Sequence, residues 1–187
     1  MSEPPRELGA GPGAPIGPLH EGAVRAGPVV GGGGVSDLLD GRLRLARGEE
    51  APGIADPWLR SRRASFPANP APVHDDDVRG HLSSVVLRDM EVWVIDGTEP
   101  GPVGFAALTP GWVQHLYVDP ELTGPGLGSQ LLTMAKRRHQ GGLDLWTFQS
   151  NAGARRFSER HGFVVVTPTD GDNEEREPDV RYHWEPS

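Results

Sequence analysis

Thr123-Gly124-Pro125-Gly126-Leu127-Gly128 separates a strand-like run, Trp112–Val118, from an amphipathic stretch, Leu127–His139. Glycine lets the backbone approach an anion closely, and the first turn of the following helix offers unpaired N–H groups and the positive end of its dipole. The segment therefore predicts a phosphate-binding turn between a strand and a helix. A glycine turn with a purely architectural role is the alternative.

Two well-known phosphate-binding motifs do not fit this turn. The dinucleotide fingerprint Gly-x-Gly-x-x-Gly does not begin here, and no Lys-Ser or Lys-Thr pair follows the glycines as a P-loop requires. Both nucleotide-binding classes are therefore set aside.

Upstream of the turn the chain alternates strand and helix patterns. Leu43 and Leu45 alternate with arginines, which is typical of a short strand with one buried face. Asp56-Pro57 is typical of a helix N-cap and first helical residue, and predicts a helix that continues toward Phe66. A second helix is predicted at Val78–Arg88, after three aspartates. The two strands of a hairpin are predicted at Glu91–Asp96 and Val103–Leu108.

Downstream of the turn, Gly141-Gly142 ends the helix that begins at Leu127. Asn151 is a good N-cap for a second helix, which Gly162 ends. The predicted strands around it are Leu143–Phe148, Phe163–Val166 and Val180–Trp184. The resulting order, β-α-α-β-β-β-α-β-α-β-β, predicts an α/β fold in which helices flank a mixed sheet.

Residues 1–40 differ in composition from the rest of the chain. They contain ten glycines and six prolines, and their few apolar residues follow neither helical nor strand spacing. Such a segment buries too little apolar surface to offset its ordering entropy. We therefore expect residues 1–40 to be a disordered extension without chemistry, and residues 41–187 to form one domain.

Composition limits the possible functions. The chain of 187 residues has no cysteine, which excludes disulfides, thiolate metal ligands and a cysteine nucleophile, and suits a reducing compartment. No apolar run is long enough to cross a membrane, so we expect a cytoplasmic protein. The formal charge of −8 argues against nucleic acid or anionic lipid as partners and favours cationic ones. His74 and His81 flank the three aspartates, but solvated side chains explain them and we expect no metal.

Three motifs in this order resemble the GNAT superfamily of acetyl-CoA-dependent N-acetyltransferases. They are Leu116-Tyr117-Val118-Asp119-Pro120, the glycine turn, and Asn151-Ala152-Gly153-Ala154-Arg155-Arg156-Phe157 with His161-Gly162-Phe163. The resemblance covers residues 42–187. It implies a mixed, mostly antiparallel sheet of six to seven strands with about four helices, and acetyl-CoA as the acetyl donor.

The resemblance also implies which residues bind acetyl-CoA. The pantetheine arm would pair with the backbone of His115–Val118, and the pyrophosphate would lie on the amides at the start of the next helix. The residues expected to bind the cofactor are therefore Leu116, Tyr117, Val118, Thr123, Gly124, Gly126, Leu127, Gly128, Ser129 and Asn151. No covalent enzyme intermediate is implied, which agrees with a chain that lacks cysteine.

The chain departs from the family pattern at two places. Ser158 stands where many relatives carry a tyrosine that is thought to protonate the departing thiolate, and a serine hydroxyl is shorter and less acidic. Thr123 stands where relatives usually have Gln or Arg, and Pro125 stands where they often have a basic residue. Proline also removes one backbone N–H donor. We therefore expect slow turnover or a solvent proton donor, and weakened cofactor affinity.

The general base is not decided by the sequence. His115 has a suitable ordinary pKa and would share one strand face with Tyr117, although a strand bulge would change which residues share a face. The acidic loop 170–179 offers Glu174, Glu175 and Asp179, either to attract a cationic amine or to remove its proton. A solvated loop without a role in the reaction is the alternative. The catalytic candidates are therefore His115, Ser158 and Glu175.

Three functions remain open. The leading one is transfer of an acetyl group to a primary amine, on a small cationic molecule or on a protein. The second is a catalytically silent acyl-CoA-binding module, and the third is a partner-binding protein on the same fold. Neither the acceptor nor the choice between monomer and homodimer follows from the sequence.

Overall fold

The structure, a computed structural model, describes residues 20–21, 42–65, 75–98, 101–122, 126–171, 173 and 176–186. The predicted extension 1–40 lies outside the described residues except for His20–Glu21, which form a two-residue strand. Of the predicted site residues, Thr123, Gly124 and Glu175 also lie outside them.

Seven strands and four helices follow from Leu43 onward. The strands are β1 Leu43–Leu45, β2 Glu91–Asp96, β3 Pro102–Thr109, β4 Trp112–Val118, β5 Leu143–Phe148, β6 Val164–Pro168 and β7 Asp179–Trp184. The helices are α1 Ala51–Ser65, α2, α3 Leu127–Arg138 and α4 Ala152–Arg160. Helix α2 has three consecutive parts, Asp75–His81, the π-helical Leu82–Val86 and Leu87–Asp89. None of the described helices is both long and apolar enough to cross a membrane.

The strands form one sheet in the order β1-β2-β3-β4-β5-β7-β6. Every neighbouring pair is antiparallel except β4 and β5, which are parallel. The predicted element order and the mixed, mostly antiparallel sheet are thereby confirmed. His20 and Glu21 add a short parallel pairing to Tyr117 and Val118 of β4.

The two faces of the sheet carry separate hydrophobic cores. On one face, residues of α1 and α2 such as Trp58 and Leu82 pack against Phe105 and Tyr117. On the other face, helices α3 and α4 pack against the sheet. The helices contribute Leu131, Leu132 and Phe157 to this core, and the strands contribute Val113, Leu116 and Tyr182. Because each face has its own core, the two sides of β4 are in different chemical surroundings.

A bulge interrupts the pairing of β3 with β4. Ala107 is opposite His115 and Leu108 is opposite Val113, so Gln114 is the extra residue. The bulge places Val113 in the same core as Leu116, although a regular strand would put these two residues on opposite faces. His115 and Tyr117 still share one face, as predicted, and the structure shows that α1 and α2 cover this face.

The predicted start of α1 at Asp56-Pro57 is wrong, because the helix begins at Ala51 and contains Pro57. A short 3₁₀ turn, Gly48–Glu50, precedes it. The Glu50 carboxylate accepts hydrogen bonds from the Arg47 N–H at 2.7 Å and from Arg44 at 2.7 and 2.9 Å. This anchor, chiefly through Arg44, lowers the pKa of Glu50 to about 2. Contacts with the preceding strand therefore set the helix start, and a local cap signal does not.

Candidate functional site

Strands β4 and β5 are paired at one end and leave a cleft between them beyond it. Within these two described strands the only paired residues are Trp112 and Asp144, supported by a hydrogen bond of 2.8 Å from the Asp144 N–H to the Gly111 carbonyl. Beyond this point β5 pairs with β7 on its other side, and β4 pairs with β3. The backbone edge of β4 that faces β5 is therefore left without a β5 partner along most of its length.

The direction of the backbone groups on that edge follows from one hydrogen bond. The Asp119 N–H donates to the Val103 carbonyl of β3 at 2.8 Å. Because successive residues of an antiparallel ladder point their N–H and C=O groups alternately toward and away from the partner strand, those of Leu116 and Val118 point into the cleft. The pairing of His20–Glu21 with Tyr117 and Val118 occupies this same edge.

The N-terminus of α3 lies next along the chain from β4. Gly126 precedes the helix with φ at +99°, a left-handed conformation in which glycine carries no steric penalty. Leu127, Gly128 and Ser129 form the first turn, whose N–H groups have no partner within the helix. The predicted turn and helix are confirmed from Gly126 onward, and this end of α3 has the properties of an anion site.

Ser129 has a neighbour that the sequence did not reveal. Its hydroxyl oxygen lies 3.0 Å from Nε2 of His161, the residue that ends α4. The His161 Nδ1 lies 2.8 Å from the Phe157 carbonyl oxygen. Burial, partly offset by the Phe157 hydrogen bond and reinforced by Lys136 and Arg160, lowers the pKa of His161. Nothing in the sequence places α4 beside α3, so this contact was not predicted.

Asn151 stands at the far side of the cleft, between β5 and α4. Its side-chain oxygen accepts a hydrogen bond from the Ala154 N–H at 2.9 Å, so the predicted N-cap is confirmed. The N-terminus of α3 follows the end of β4, and the Asn151 cap follows the end of β5. Both features therefore come after the unpaired ends of the two strands that form the cleft.

His115 is enclosed in an aromatic cluster on the face covered by α1 and α2. Its side chain is 0% exposed, and its ring centroid lies 5.1 Å from Trp58 and 6.3 Å from His81. Neither ring nitrogen has a hydrogen-bond partner among the described residues. Burial, together with the nearby His81, lowers the pKa of His115 to about 3. The ring is therefore neutral at physiological pH and has no direct path to the cleft in this conformation.

Ser158 lies on the inner face of α4. Its side chain is 0% exposed, and its hydroxyl has no hydrogen-bond partner among the described residues. A hydroxyl in this position is not presented to the cleft, so proton transfer from it would require an intervening water.

The acidic loop contributes a structural residue to the described part of the chain. Asp179 is 9% exposed and accepts hydrogen bonds from Thr169 Oγ1 and, at 3.0 Å, from Asn173 Nδ2. These contacts close the loop between β6 and β7. Glu174 and Glu175, the other two predicted acids, lie outside the described residues.

A salt bridge that was not predicted holds α1 to the end of β4. Arg60 Nη2 lies 2.7 Å from Asp119 Oδ2, and the Asp119 side chain is 4% exposed. Asp119 Oδ1 also accepts a hydrogen bond from the Glu121 N–H at 3.0 Å. The chain segment that enters the glycine turn is thereby fixed to the helix above the sheet.

Comparisons with known proteins agree with this fold. A family model described as "Acetyltransferase (GNAT) domain" matches residues 88–165. The peptidyl-lysine N-acetyltransferase YjaB of Salmonella typhimurium is 29% identical over 141 residues, which are 70% of this chain and 88% of that protein. The solution structure of apo YjaB from Escherichia coli has a TM-score of 0.61 at 25% identity, covering 76% of this chain and 95% of that one. A GNAT-family acetyltransferase from Bacillus cereus shares the fold, with a TM-score of 0.61 at 12% identity over 78% and 96% of the two chains.

Proposed function

Because the chain belongs to the GNAT superfamily of N-acetyltransferases, we propose that it transfers the acetyl group of acetyl-CoA directly to a primary amine. The observation that carries this proposal is the cleft between β4 and β5, which are joined only at Trp112 and Asp144. A pantetheine arm needs an extended groove with backbone hydrogen-bonding groups along one side, and the edge of β4 supplies one.

Acetyl-CoA would lie with its two ends on different parts of the cleft. In the proposed complex its pantetheine amides pair with the inward-facing backbone groups of Leu116 and Val118. Its pyrophosphate lies on the first-turn N–H groups of α3, where the helix dipole favours negative charge. Thr123 and Gly124 are proposed to complete the anion site from the turn, and Asn151 to contact the cofactor arm from the opposite side.

The chemistry is attack of a neutral amine nitrogen on the thioester carbonyl. A tetrahedral intermediate forms, and its oxyanion is stabilised by a cleft-facing N–H of β4, for which Leu116 is the candidate. Collapse of the intermediate breaks the carbon–sulfur bond, the amine loses its proton, and the coenzyme A thiolate leaves and is protonated. No group on the protein becomes acetylated, in keeping with a chain that contains no cysteine.

Deprotonation of the amine is proposed to occur through water, with His115 and Glu175 as the side chains that assist it. His115 is enclosed in the aromatic cluster and has no direct path to the cleft, whereas Glu175 belongs to the acidic loop 170–179. We therefore expect Glu175→Gln to lower kcat/KM more than His115→Asn does. The opposite order would give the proton-accepting role to His115.

Ser158 is proposed to protonate the thiolate through a water, with bulk solvent as the alternative donor. Ser158→Ala separates these two cases, because it removes the hydroxyl without leaving a large cavity. A loss of about a hundredfold in kcat, the lower range of general acid catalysis, would support Ser158 as the donor. A kcat within threefold of the wild-type value would leave the role to solvent.

The acceptor is proposed to be cationic, either a small amine or a lysine side chain. A net charge of −8 favours positively charged substrates. The relative from Salmonella typhimurium is described as a peptidyl-lysine N-acetyltransferase, which supports a protein lysine as one acceptor class. Thiol release measured against polyamines, aminoglycosides and lysine-containing peptides would distinguish the two classes.

The test of the cofactor site compares two substitutions of one residue. Gly126 has a φ of +99°, so Asn and Asp introduce a similar backbone strain there, but only Asp adds a negative charge. In calorimetric titrations we expect Gly126→Asp to abolish acetyl-CoA binding and Gly126→Asn to retain most of it. Equal affinities for the two variants would contradict the pyrophosphate placement. Binding without thiol release on any amine would favour the alternative function, a silent acyl-CoA-binding module.

A further inference from the structure

His161 joins two elements that the proposed reaction treats separately. Its backbone ends α4, and its side chain reaches Ser129 in the first turn of α3, at 3.0 Å from Nε2 to Oγ. Ser129 is one of the residues proposed to bind the pyrophosphate. His161 itself has no role in the reaction described above.

The hydrogen positions in this contact follow from the partners. The Phe157 carbonyl oxygen can only accept, so His161 Nδ1, 2.8 Å away, must carry a hydrogen. In the neutral imidazole Nε2 is then an acceptor, and the Ser129 hydroxyl must donate to it. The single hydroxyl hydrogen of Ser129 is therefore directed at the histidine and away from any anion at the helix N-terminus.

A phosphate oxygen accepts hydrogen bonds and has none to donate at the pyrophosphate bridge. Ser129 can donate to it only when its hydrogen turns toward the cleft, which leaves neutral Nε2 facing the serine oxygen with no hydrogen between them. A proton on Nε2 removes this conflict, because Nε2–H then donates to Oγ while Oγ–H donates to the phosphate.

We propose that His161 takes up a proton from solvent when acetyl-CoA binds, and thereby acts as a positioning residue that turns the Ser129 hydroxyl toward the pyrophosphate. This inference rests on the proposed function, since it requires a phosphate at the N-terminus of α3. No bond between heavy atoms forms or breaks. One proton moves from water to Nε2, and the hydroxyl hydrogen changes its acceptor.

The charges that face His161 favour this exchange. On α3, Lys136 donates a hydrogen bond to the His161 carbonyl oxygen, and on α4 the charged neighbour is Arg160. These two cations and burial keep the ring neutral in the free protein, while the Phe157 carbonyl supports the protonated form. A pyrophosphate carrying negative charge next to Ser129 would offset both cations and raise the pKa of the ring. Binding and protonation would then favour each other.

The test is calorimetric titration of the full chain with acetyl-CoA, at several pH values between 6 and 8 and in two buffers with different ionisation enthalpies. We expect the wild-type chain to take up protons on binding, and its Kd to fall as the pH falls, by at most about tenfold per pH unit. The Ser129→Ala variant should bind acetyl-CoA more weakly than the wild type and take up fewer protons on binding. His161→Gln, whose amide can donate to Ser129 at every pH, should bind with less pH dependence.

Two controls make the comparison specific. The 3′-phosphate of coenzyme A also titrates near pH 6, but its contribution is common to all variants, so the readout is the difference between wild type and variant. His183→Gln removes a histidine that pairs with Asp144 at the closed end of the cleft, and it should leave the proton uptake unchanged.

A direct readout is the imidazole nitrogen shift of His161 in ¹⁵N-histidine-labelled protein, with and without acetyl-CoA. We expect the pKa of His161 to rise by more than half a unit in the complex. An unchanged His161 pKa in a chain that binds acetyl-CoA would overturn this inference and leave the proposed function intact. Absence of acetyl-CoA binding at every pH would instead remove the proposed cofactor site.

Discussion

At the scale of single residues, the enclosed imidazole of His115 is expected to make the protein less stable in acid. Its pKa is lowered to about 3 in the folded protein and returns to about 6.5 on unfolding. Below pH 6.5 the unfolded chain therefore binds a proton that the folded chain does not. Above pH 6.5 the protonation of His115 does not lower the free energy of unfolding. Between pH 6.5 and pH 3 it lowers that free energy by up to about 1.4 kcal/mol for each pH unit.

We expect His115→Leu to unfold at nearly the same urea concentration as wild type at pH 7.5, and at a higher concentration than wild type at pH 5. Leucine has a similar volume and brings no unpaired polar atom into the cluster. His183→Gln is the matched control, since His183 is partly exposed and bonded to Asp144. Equal losses of stability in wild type and His115→Leu between the two pH values would contradict this account.

Residue-scale details of the site were only partly predictable. Gly126 and Asn151 carry local signals, a left-handed turn and a helix cap, which depend on a few neighbouring residues. The contact of Ser129 with His161 and the salt bridge of Arg60 with Asp119 join residues that are distant in the chain. No local pattern encodes such pairs, because they depend on how the helices pack on the sheet.

At the scale of elements, Asn151 serves α4 and is also proposed to serve the cofactor. Asn151→Ala removes the oxygen that caps the Ala154 N–H and should lower the free energy of unfolding by about 1 kcal/mol. Asn151→Asp keeps a capping oxygen and should preserve stability, but it adds a negative charge beside the cofactor. We expect urea titration to show a lower free energy of unfolding for Asn151→Ala than for the wild type. Calorimetry should show weaker acetyl-CoA binding for Asn151→Asp. Wild-type affinity in Asn151→Asp would limit this residue to capping.

Strand β6 is an edge strand with an exposed apolar surface. Val164, Val165 and Val166 are 62%, 50% and 47% exposed, and β6 ends the sheet. An edge of this kind favours pairing between copies of the chain, and an edge lysine opposes it. We expect Val164→Lys to reduce concentration-dependent association in sedimentation experiments, with unfolding free energy within about 0.5 kcal/mol of wild type.

Val164→Thr is the control for this edge, because it keeps the β-branched shape without a charge. It should associate as the wild type does. A wild-type chain that stays monomeric at the highest concentration tested would show that β6 does not mediate association.

Elements were predicted best where one segment carries its own pattern. The bounds of β4 and β5 follow the sequence prediction, and α4 begins after its predicted cap. The start of α1 was missed because Asp56-Pro57 is a strong local signal, yet Ile54, Ala55, Trp58 and Leu59 are buried on both sides of it. Packing of that apolar face continues the helix through Pro57, and Pro52 near its actual start is the signal that indicates the correct position.

At the scale of the whole molecule, His20–Glu21 lie on the edge of β4 that the pantetheine arm is proposed to use. We expect a chain that lacks residues 1–41 to bind acetyl-CoA more tightly than the full chain. The gain should stay below about tenfold, since each backbone hydrogen bond contributes about 1 kcal/mol net and ordering the segment offsets much of it. The melting temperature should change by less than about 2 °C, because the two cores lie within residues 42–186.

Weaker binding by the shortened chain would show that the N-terminal segment supports the cofactor site and does not compete for it. A chain that keeps residues 1–41 with Gly-Ser replacing His20 and Glu21 separates the effect of this pairing from that of chain length.

The single pairing of Trp112 with Asp144 divides the sheet into two parts along the chain, β1 to β4 and β5 to β7. Helix α3 belongs to the second part in sequence, but Leu131 and Leu132 pack in a core that includes Ile95 and Val103 of the first. A cut between Leu122 and Gly126 would thus break no strand pairing and leave a large apolar interface to reunite the pieces. The fold is therefore suited to production as two polypeptides that reassemble through this apolar interface.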